Sequence, residues 1–246
     1  MRPAKVLLYA WKMKILSWNI LHGGGKRAPD LLSAIEKQNP DIVTLQEFRH
    51  GSSKQALLDG LAKLGLDEQF VPETNSARDN SLIIASKYNF QATIFPKEFG
   101  TPALAIQAFF PDLDELNLFS VHLPHKKKQP PYFHALLDLD KRYLTENSII
   151  IGDFNCGIPF EDSETKSFEH TFLFQQLLRN GWIDAWRSRN KNKREFTWIS
   201  TKQQNGFRYD HALVSPKFNA SINTIHYDHT VRLNKVSDHS LLLVET

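Results

Sequence analysis

The chain has 246 residues, 41% of them hydrophobic, with 30 Lys+Arg against 27 Asp+Glu and a formal net charge of +3. This is enough apolar content for a full core, and the length suits one large domain better than two small ones; the slight basicity permits a polyanionic partner without demanding one. Cys156 is the single cysteine, which excludes an intramolecular disulfide and points to a reducing, cytoplasmic setting, and no run reaches the roughly 18 apolar residues of a membrane span.

Residues 1–12 carry Arg2 and Lys5 ahead of a short apolar run with no small-residue cleavage site, so they read as an N-terminal extension and not as a signal peptide. The expected single domain then covers residues 13–246. A strand is expected over 14–18, followed by the Gly23-Gly24-Gly25 loop. Pro29 opens a helix with Leu31, Leu32 and Ile35 on one face, and Asn39-Pro40 ends it. The run 42–45 reads as a buried strand, and Ser52 or Ser53 as the cap of a helix that stops at Gly65. Further strands are expected over 82–85, 104–110, 116–121 and 148–151, with helices over 132–143 and 167–179. The last third predicts strands over 196–199, 207–214, 221–226 and 241–244. Mixed strands with interleaved helices predict an α/β fold, two sheets packed face to face with helices outside.

Polar residues cluster where the apolar runs end. Asn19 follows Ile15-Leu16, Glu47 follows Ile42-Val43, and Asp153 follows Ile149-Ile150-Ile151. Strand ends of this kind present acids and amides at one common edge, the arrangement a metal-assisted phosphoryl-transfer site requires, because a hard divalent cation takes oxygen ligands. Asp153 and Asn155 lie two apart and would point the same way on an extended backbone, the Asp able to accept a proton from water and the Asn able to donate to a developing oxyanion. Asp210 lies inside the predicted strand 207–214, where a buried carboxylate needs a cationic partner such as histidine. Taken singly, each fragment has an ordinary alternative: a turn for Gly152-Asp153, a helix entry for Glu47, a cap for Asp238-His239.

Together and in order, Trp18-Asn19, Gln46-Glu47, His122, Gly152-Asp153-Phe154-Asn155, Arg208-Tyr209-Asp210 and Ser237-Asp238-His239 resemble the endonuclease/exonuclease/phosphatase superfamily across residues 13–246. The resemblance implies a DNase I-like four-layer α/β sandwich and Mg²⁺-dependent phosphate-ester cleavage, with Mn²⁺ as a substitute. It implies Glu47 as the main metal ligand with Asn19 and Asp238 close by, Asp153 orienting or deprotonating the attacking water, and Asn155 holding the phosphate. His239 paired with Asp210 would stabilise phosphate charge.

Residues 40–47, Asp184-Ala185-Trp186-Arg187 with Phe196-Thr197-Trp198, and residues 205–215 resemble signatures of the exonuclease III branch. Trp198 and Phe207 would then line a sugar pocket beside Arg208, with Tyr209 as a third aromatic. His122 stands where that branch has a tyrosine, and the stretch after Asn155 lacks its substrate-contacting insert, so abasic-site specificity does not follow. Lys126-Lys127-Lys128 could hold backbone phosphates or form a solvated loop. Trp182 and Trp186 read as core. The expected function is a metal-dependent nuclease acting on DNA or another phosphodiester, with no obligate protein partner. A phosphatase or a phospholipid or inositol-phosphate phosphodiesterase of the same superfamily, and a non-catalytic scaffold on this fold, are the alternatives.

Overall fold

A computed structural model describes residues 12–96, 101–166 and 168–246. Apart from Lys12, the expected N-terminal extension lies outside the described residues.

In chain order the first elements are β1 (Lys14–Asn19), α1 (Ala28–Gln38), β2 (Ile42–Phe48), α2 (Lys54–Lys63), β3 (Glu68–Phe70), β4 (Ser81–Ser86) and β5 (Gln91–Ile94). Then come β6 (Ala105–Phe110), β7 (Leu116–His122), α3 (Pro130–Leu137), β8 (Ser148–Asp153), α4 (Thr171–Arg179), β9 (Ile183–Asp184) and α5 (Ala185–Arg189). The last are β10 (Trp198–Ile199), β11 (Gly206–Phe207), β12 (Asp210–Val214), α6 (Pro216–Ser221), β13 (Thr224–Asp228), α7 (Thr230–Leu233) and β14 (Leu241–Glu245).

The described strands form two six-stranded sheets, ordered β13-β14-β1-β2-β4-β3 and β5-β6-β7-β8-β12-β9, with β10-β11 as a separate short pair. Strand side chains alternate between faces, so each sheet needs cover on both sides. Ile15, Ile42, Leu82 and Ile84 of the first sheet meet Ile106, Leu118, Ile149, Ile151 and Ala212 of the second in one apolar layer. The opposite face of the first sheet, with Leu16, Trp18, Val43 and Leu45, packs on Leu31 and Ile35 of α1 and Leu57 and Leu61 of α2. The opposite face of the second, with Phe119, Ile150 and Leu213, packs on Phe133 and Leu136 of α3 and Phe174 and Leu177 of α4. This is the expected four-layer α/β sandwich.

Several boundaries differ from expectation for local reasons. Pro130 and Pro131 start α3 at its first positions, and the helix ends at Leu137, leaving a separate 3-10 turn over Lys141–Leu144 in place of one helix to 143. The helix expected over 167–179 begins at Thr171, and Ser167 lies outside the described residues. Residues 216–221 form α6, opened by Pro216 and capped by the Ser215 hydroxyl, so the strand expected from 221 starts at Thr224. The Ser53 hydroxyl, one of the two expected to cap α2, donates instead to the Gly23 carbonyl at 2.6 Å and ties down the glycine loop.

Candidate active site

Register brings the polar strand ends together. β1 and β2 run parallel with Asn19 beside Gln46, and β7 and β8 run parallel with His122 beside Asp153. β12 runs antiparallel to β8 and places its first residue, Asp210, opposite Asp153. The segment ahead of β14, antiparallel to β1, brings Ser237-Asp238-His239 to the same edge. Two backbone features shape this edge. Gly152 has φ +143°, and a Cβ there would lie 2.0 Å from the Val121 carbonyl oxygen, so no larger residue fits the β7–β8 crossing. Glu47 has φ +57° at a bulge between Gln46 and Phe48, which turns its side chain out of the strand alternation.

The buried centre is a carboxylate–histidine–carboxylate group. His239 Nδ1 lies 2.9 Å from Asp210 Oδ2, and its Nε2 lies 3.8 Å from Asp153 Oδ2. Ligand-type atoms of Asp153, Asp210 and His239 all fall within 4.8 Å of one another. Burial opposes the His239 imidazolium, but the charges of Asp210 and Asp153 outweigh it and lift its pKa to about 10. Burial raises the Asp153 carboxyl to about 7, with Asp210 adding to the rise and His239 and the Asn19 amide opposing it. The centre can therefore present a cation and, near neutral pH, a proton acceptor side by side.

Glu47 sits beside this centre. The Asn19 amide bridges the two, donating to Asp153 Oδ2 at 3.0 Å and lying 3.4 Å from Glu47 Oε1. The other Glu47 oxygen accepts from the His22 backbone N–H at 2.8 Å and lies 2.7 Å from His22 Nδ1. His122 Nε2 lies 4.0 Å from Glu47 Oε1 and 3.9 Å from Asp153 Oδ2. Burial drives the His122 pKa down to about 4, which leaves its imidazole neutral, and its Nδ1 is buried with no hydrogen-bond partner. Asp238 accepts from the Trp198 indole N–H at 3.0 Å through Oδ2, while its buried Oδ1 has no partner. Glu47, Asn19 and Asp238 carry hard oxygen donors, and the buried Oδ1 of Asp238, like that of Asp210, has no hydrogen-bond partner, a need that a divalent ion such as Mg²⁺ or Mn²⁺ would satisfy. The residues present fit such an ion.

Three expectations are corrected here. Arg208, expected at the substrate, does not face the open surface: it is 1% exposed and its guanidinium joins Asp162 (Nε to Oδ1, 2.8 Å) and Asp184 (Nη2 to Oδ2, 2.6 Å). The reason is local. Strand 207–214 breaks into β11 and β12, and the Arg208 backbone N–H donates to the Asp162 carbonyl across the break, turning the side chain inward. Asn155 does not continue an extended strand beside Asp153; it has φ +47°, its backbone N–H donates to Asp153 Oδ1 and its amide donates to the Leu123 carbonyl. Phe207 is 6% exposed behind Trp198 and Tyr209, so Trp198 and Tyr209 carry the open aromatic surface. Trp182 and Trp186 are core, as expected.

Sequence reasoning missed several supporting contacts. The Trp18 indole N–H donates to the His239 carbonyl at 3.0 Å, Tyr227 Oη donates to the Asp210 carbonyl at 2.7 Å, and the Thr197 hydroxyl lies 3.1 Å from the Tyr209 backbone N–H. Arg27 donates to the carbonyls of Leu21 and Val236, fixing the His22 loop to the segment that leads into Asp238. Only His22 carried a usable signal, a histidine three residues after Asn19 in a glycine-rich loop.

The exodeoxyribonuclease III of Haemophilus influenzae is 28% identical over 278 aligned residues, covering 95% of this chain and 99% of that protein. An AP endonuclease from Archaeoglobus fulgidus superposes with a TM-score of 0.79 at 18% identity, over 94% of this chain and 98% of its own. A 3′ phosphatase from Neisseria bound to product DNA hairpin superposes with a TM-score of 0.78 at 23% identity, over 95% of this chain and 98% of its own. Among the described residues no helix is long and apolar enough to cross a membrane. The Endonuclease/Exonuclease/phosphatase family model matches residues 16–239, a span that opens in β1 ahead of Asn19 and closes on His239, and the chain thus belongs to that family of phosphoric ester hydrolases.

Proposed function

We propose that this protein is a divalent-metal-dependent nuclease, with Mg²⁺ the working ion and Mn²⁺ a substitute, that hydrolyses DNA phosphodiesters by direct attack of water. The observation that carries the reading is the buried Asp153–His239–Asp210 group beside the Glu47–Asn19 pair at one edge of both sheets. The DNA substrate is supported by the exodeoxyribonuclease relative and the DNA-bound structural neighbour.

Glu47, Asn19 and Asp238 would hold the ion, which supplies Lewis-acid charge neutralisation at the scissile phosphate. Asp153 accepts the proton of the attacking water; its raised pKa suits that task at neutral pH. His239, held as an imidazolium by Asp210, hydrogen-bonds a non-bridging phosphate oxygen and stabilises the charge that develops there. The neutral His122 adds a hydrogen-bonding edge without a second positive charge. Asn155 positions Asp153 through its backbone N–H. Trp198 fixes Asp238 while its ring faces the aromatic surface with Tyr209.

The test is cleavage of end-labelled plain, nicked, abasic-site and single-stranded DNA, with a phosphoinositide control, in Mg²⁺ and in EDTA. Metal-dependent cleavage of DNA is expected. Turnover of the phosphoinositide with none of DNA would retain the chemistry and reject the substrate.

A further inference from the structure

Among the described residues the exposed large apolar side chains are Phe160 (49%), Phe172 (56%) and Leu233 (69%). Two of these three, Phe160 and Phe172, lie on segments that are hydrogen-bonded to each other and to the Lys126–Lys128 turn. Phe172 is the second residue of α4, and its ring packs edge-on to that of His170, whose Nε2 lies 3.1 Å from the Lys126 carbonyl. The Thr171 hydroxyl donates to the Gly157 carbonyl at 2.5 Å, which holds the loop bearing Phe160 against the same helix start. The loop Lys126–Lys128 is a 3-10 turn with all three side chains exposed and without ion pairs among the described residues. It continues into Gln129, whose amide donates to the carbonyls of Phe154 and Asn155, next to Asp153.

Three non-glycine residues here take left-handed backbone: Asn155 (φ +47°), Lys126 (φ +56°) and Phe160 (φ +65°). For a bulky residue such as Phe160 that conformation costs free energy and persists only where its surroundings impose it. An exposed phenylalanine held in that way, on a segment tied through Thr171 and His170 to the unneutralised lysines, pairs a stacking face with a polyanion-binding edge.

That pairing selects its partner. A duplex hides its base faces within its own stack, so an exposed phenyl ring gains little from it beyond what the phosphates supply. An unpaired nucleotide offers both a phosphate and a free base face. We propose that Lys126–Lys128, Phe160 and Phe172 form a shelf that receives unpaired nucleotides of DNA next to the scissile bond, with phosphates on the lysines and a base stacked on Phe172. The proposal rests on the nuclease reading and makes single strands or frayed ends its preferred substrate.

The test is anisotropy of a labelled oligonucleotide, single-stranded or as a blunt duplex of the same sequence, titrated with the full-length protein in EDTA. Phe172→Ala should weaken single-strand binding about 5- to 100-fold and blunt-duplex binding by less than about 2-fold. Phe172→Trp should retain affinity, with its added indole emission quenched on binding. Replacing the three lysines by Gln should flatten the log–log salt dependence of single-strand binding by about 2, near 0.7 for each phosphate no longer neutralised. Leu233→Ser, at the remaining exposed apolar site, should change neither affinity. Equal effects of Phe172→Ala on both DNAs, or none on either, would overturn the shelf while leaving the nuclease reading intact. A wild-type protein that binds no DNA would overturn both.

Discussion

Replacing Arg208 by Met separates a structural role from a substrate contact. The guanidinium lies 5.1 Å from the Trp186 ring centroid and between two carboxylates that are 0% and 7% exposed, Asp162 and Asp184. Methionine keeps much of the volume, so the cost comes from leaving two buried carboxylates without their main cation, on the order of 3–5 kcal/mol. The lower end of that range is expected, because Asp162 keeps the Arg187 guanidinium at 2.9 Å and the Ile158 backbone N–H at 2.9 Å, and Asp184 keeps the Arg187 backbone N–H at 2.9 Å. The loss also depends on pH. Burial opposes ionisation of both carboxyls, yet Arg208 outweighs it and holds both native pKa values below the ordinary 3.8. A depressed native pKa contributes stability that is present above the unfolded value and is lost as pH falls through the native one. Urea denaturation should therefore show the largest gap between wild type and Arg208→Met at neutral pH, narrowing in acid as the stranded carboxyls protonate. Adding Asp184→Asn should recover part of the neutral-pH loss. A variant within about 1 kcal/mol of wild type at neutral pH, with only its substrate affinity reduced, would refute the reasoning.

Asp210→Asn removes the negative partner of His239 and should lower the rate by about 10²- to 10⁴-fold, moving the alkaline limb of the pH–rate profile to lower pH; an unmoved limb would reject the pairing. The wild-type profile should be bell-shaped, rising as the Asp153 carboxyl ionises near 7 and falling as His239 loses its proton near 10, with a plateau between the limbs and both limbs belonging to the interacting pair; a rate unchanged on crossing either limb would contradict these assignments. Gly152→Ala places a methyl 2.0 Å from a backbone oxygen at φ +143° and should cost at least about 2–3 kcal/mol, read as a lowered Tm; an unchanged Tm would show that the β7–β8 crossing can open.

Much of the sandwich was legible because its strands are continuous apolar runs and its longer helices carry breakers at their ends. Ile42-Val43 and Ile149-Ile150-Ile151 are buried on both faces, and Asn39-Pro40 stops α1 where expected. The short elements β9, α5 and α7 were not legible, since a run of two to five residues has no period to read. At the site, strand-end position was readable and side-chain direction was not. Asn155 reads as extended by its spacing from Asp153, but its left-handed turn depends on the Leu123 carbonyl, which is distant in sequence. Arg208 sits in a motif of site residues, yet Asp162 and Asp184, far apart in the chain, draw it into the core. His22 reaches Glu47 only because both residues take left-handed backbone, at φ +55° and +57°, which neither residue type announces.

The most direct measurement is cleavage of an end-labelled DNA substrate in Mg²⁺ by wild-type protein and by Asp153→Asn, each confirmed folded by its urea transition. The account predicts metal-dependent product from the wild type and a rate lower by about 10²-fold or more for the variant, which keeps the shape but cannot accept the proton of water. Equal rates from the two proteins would contradict it.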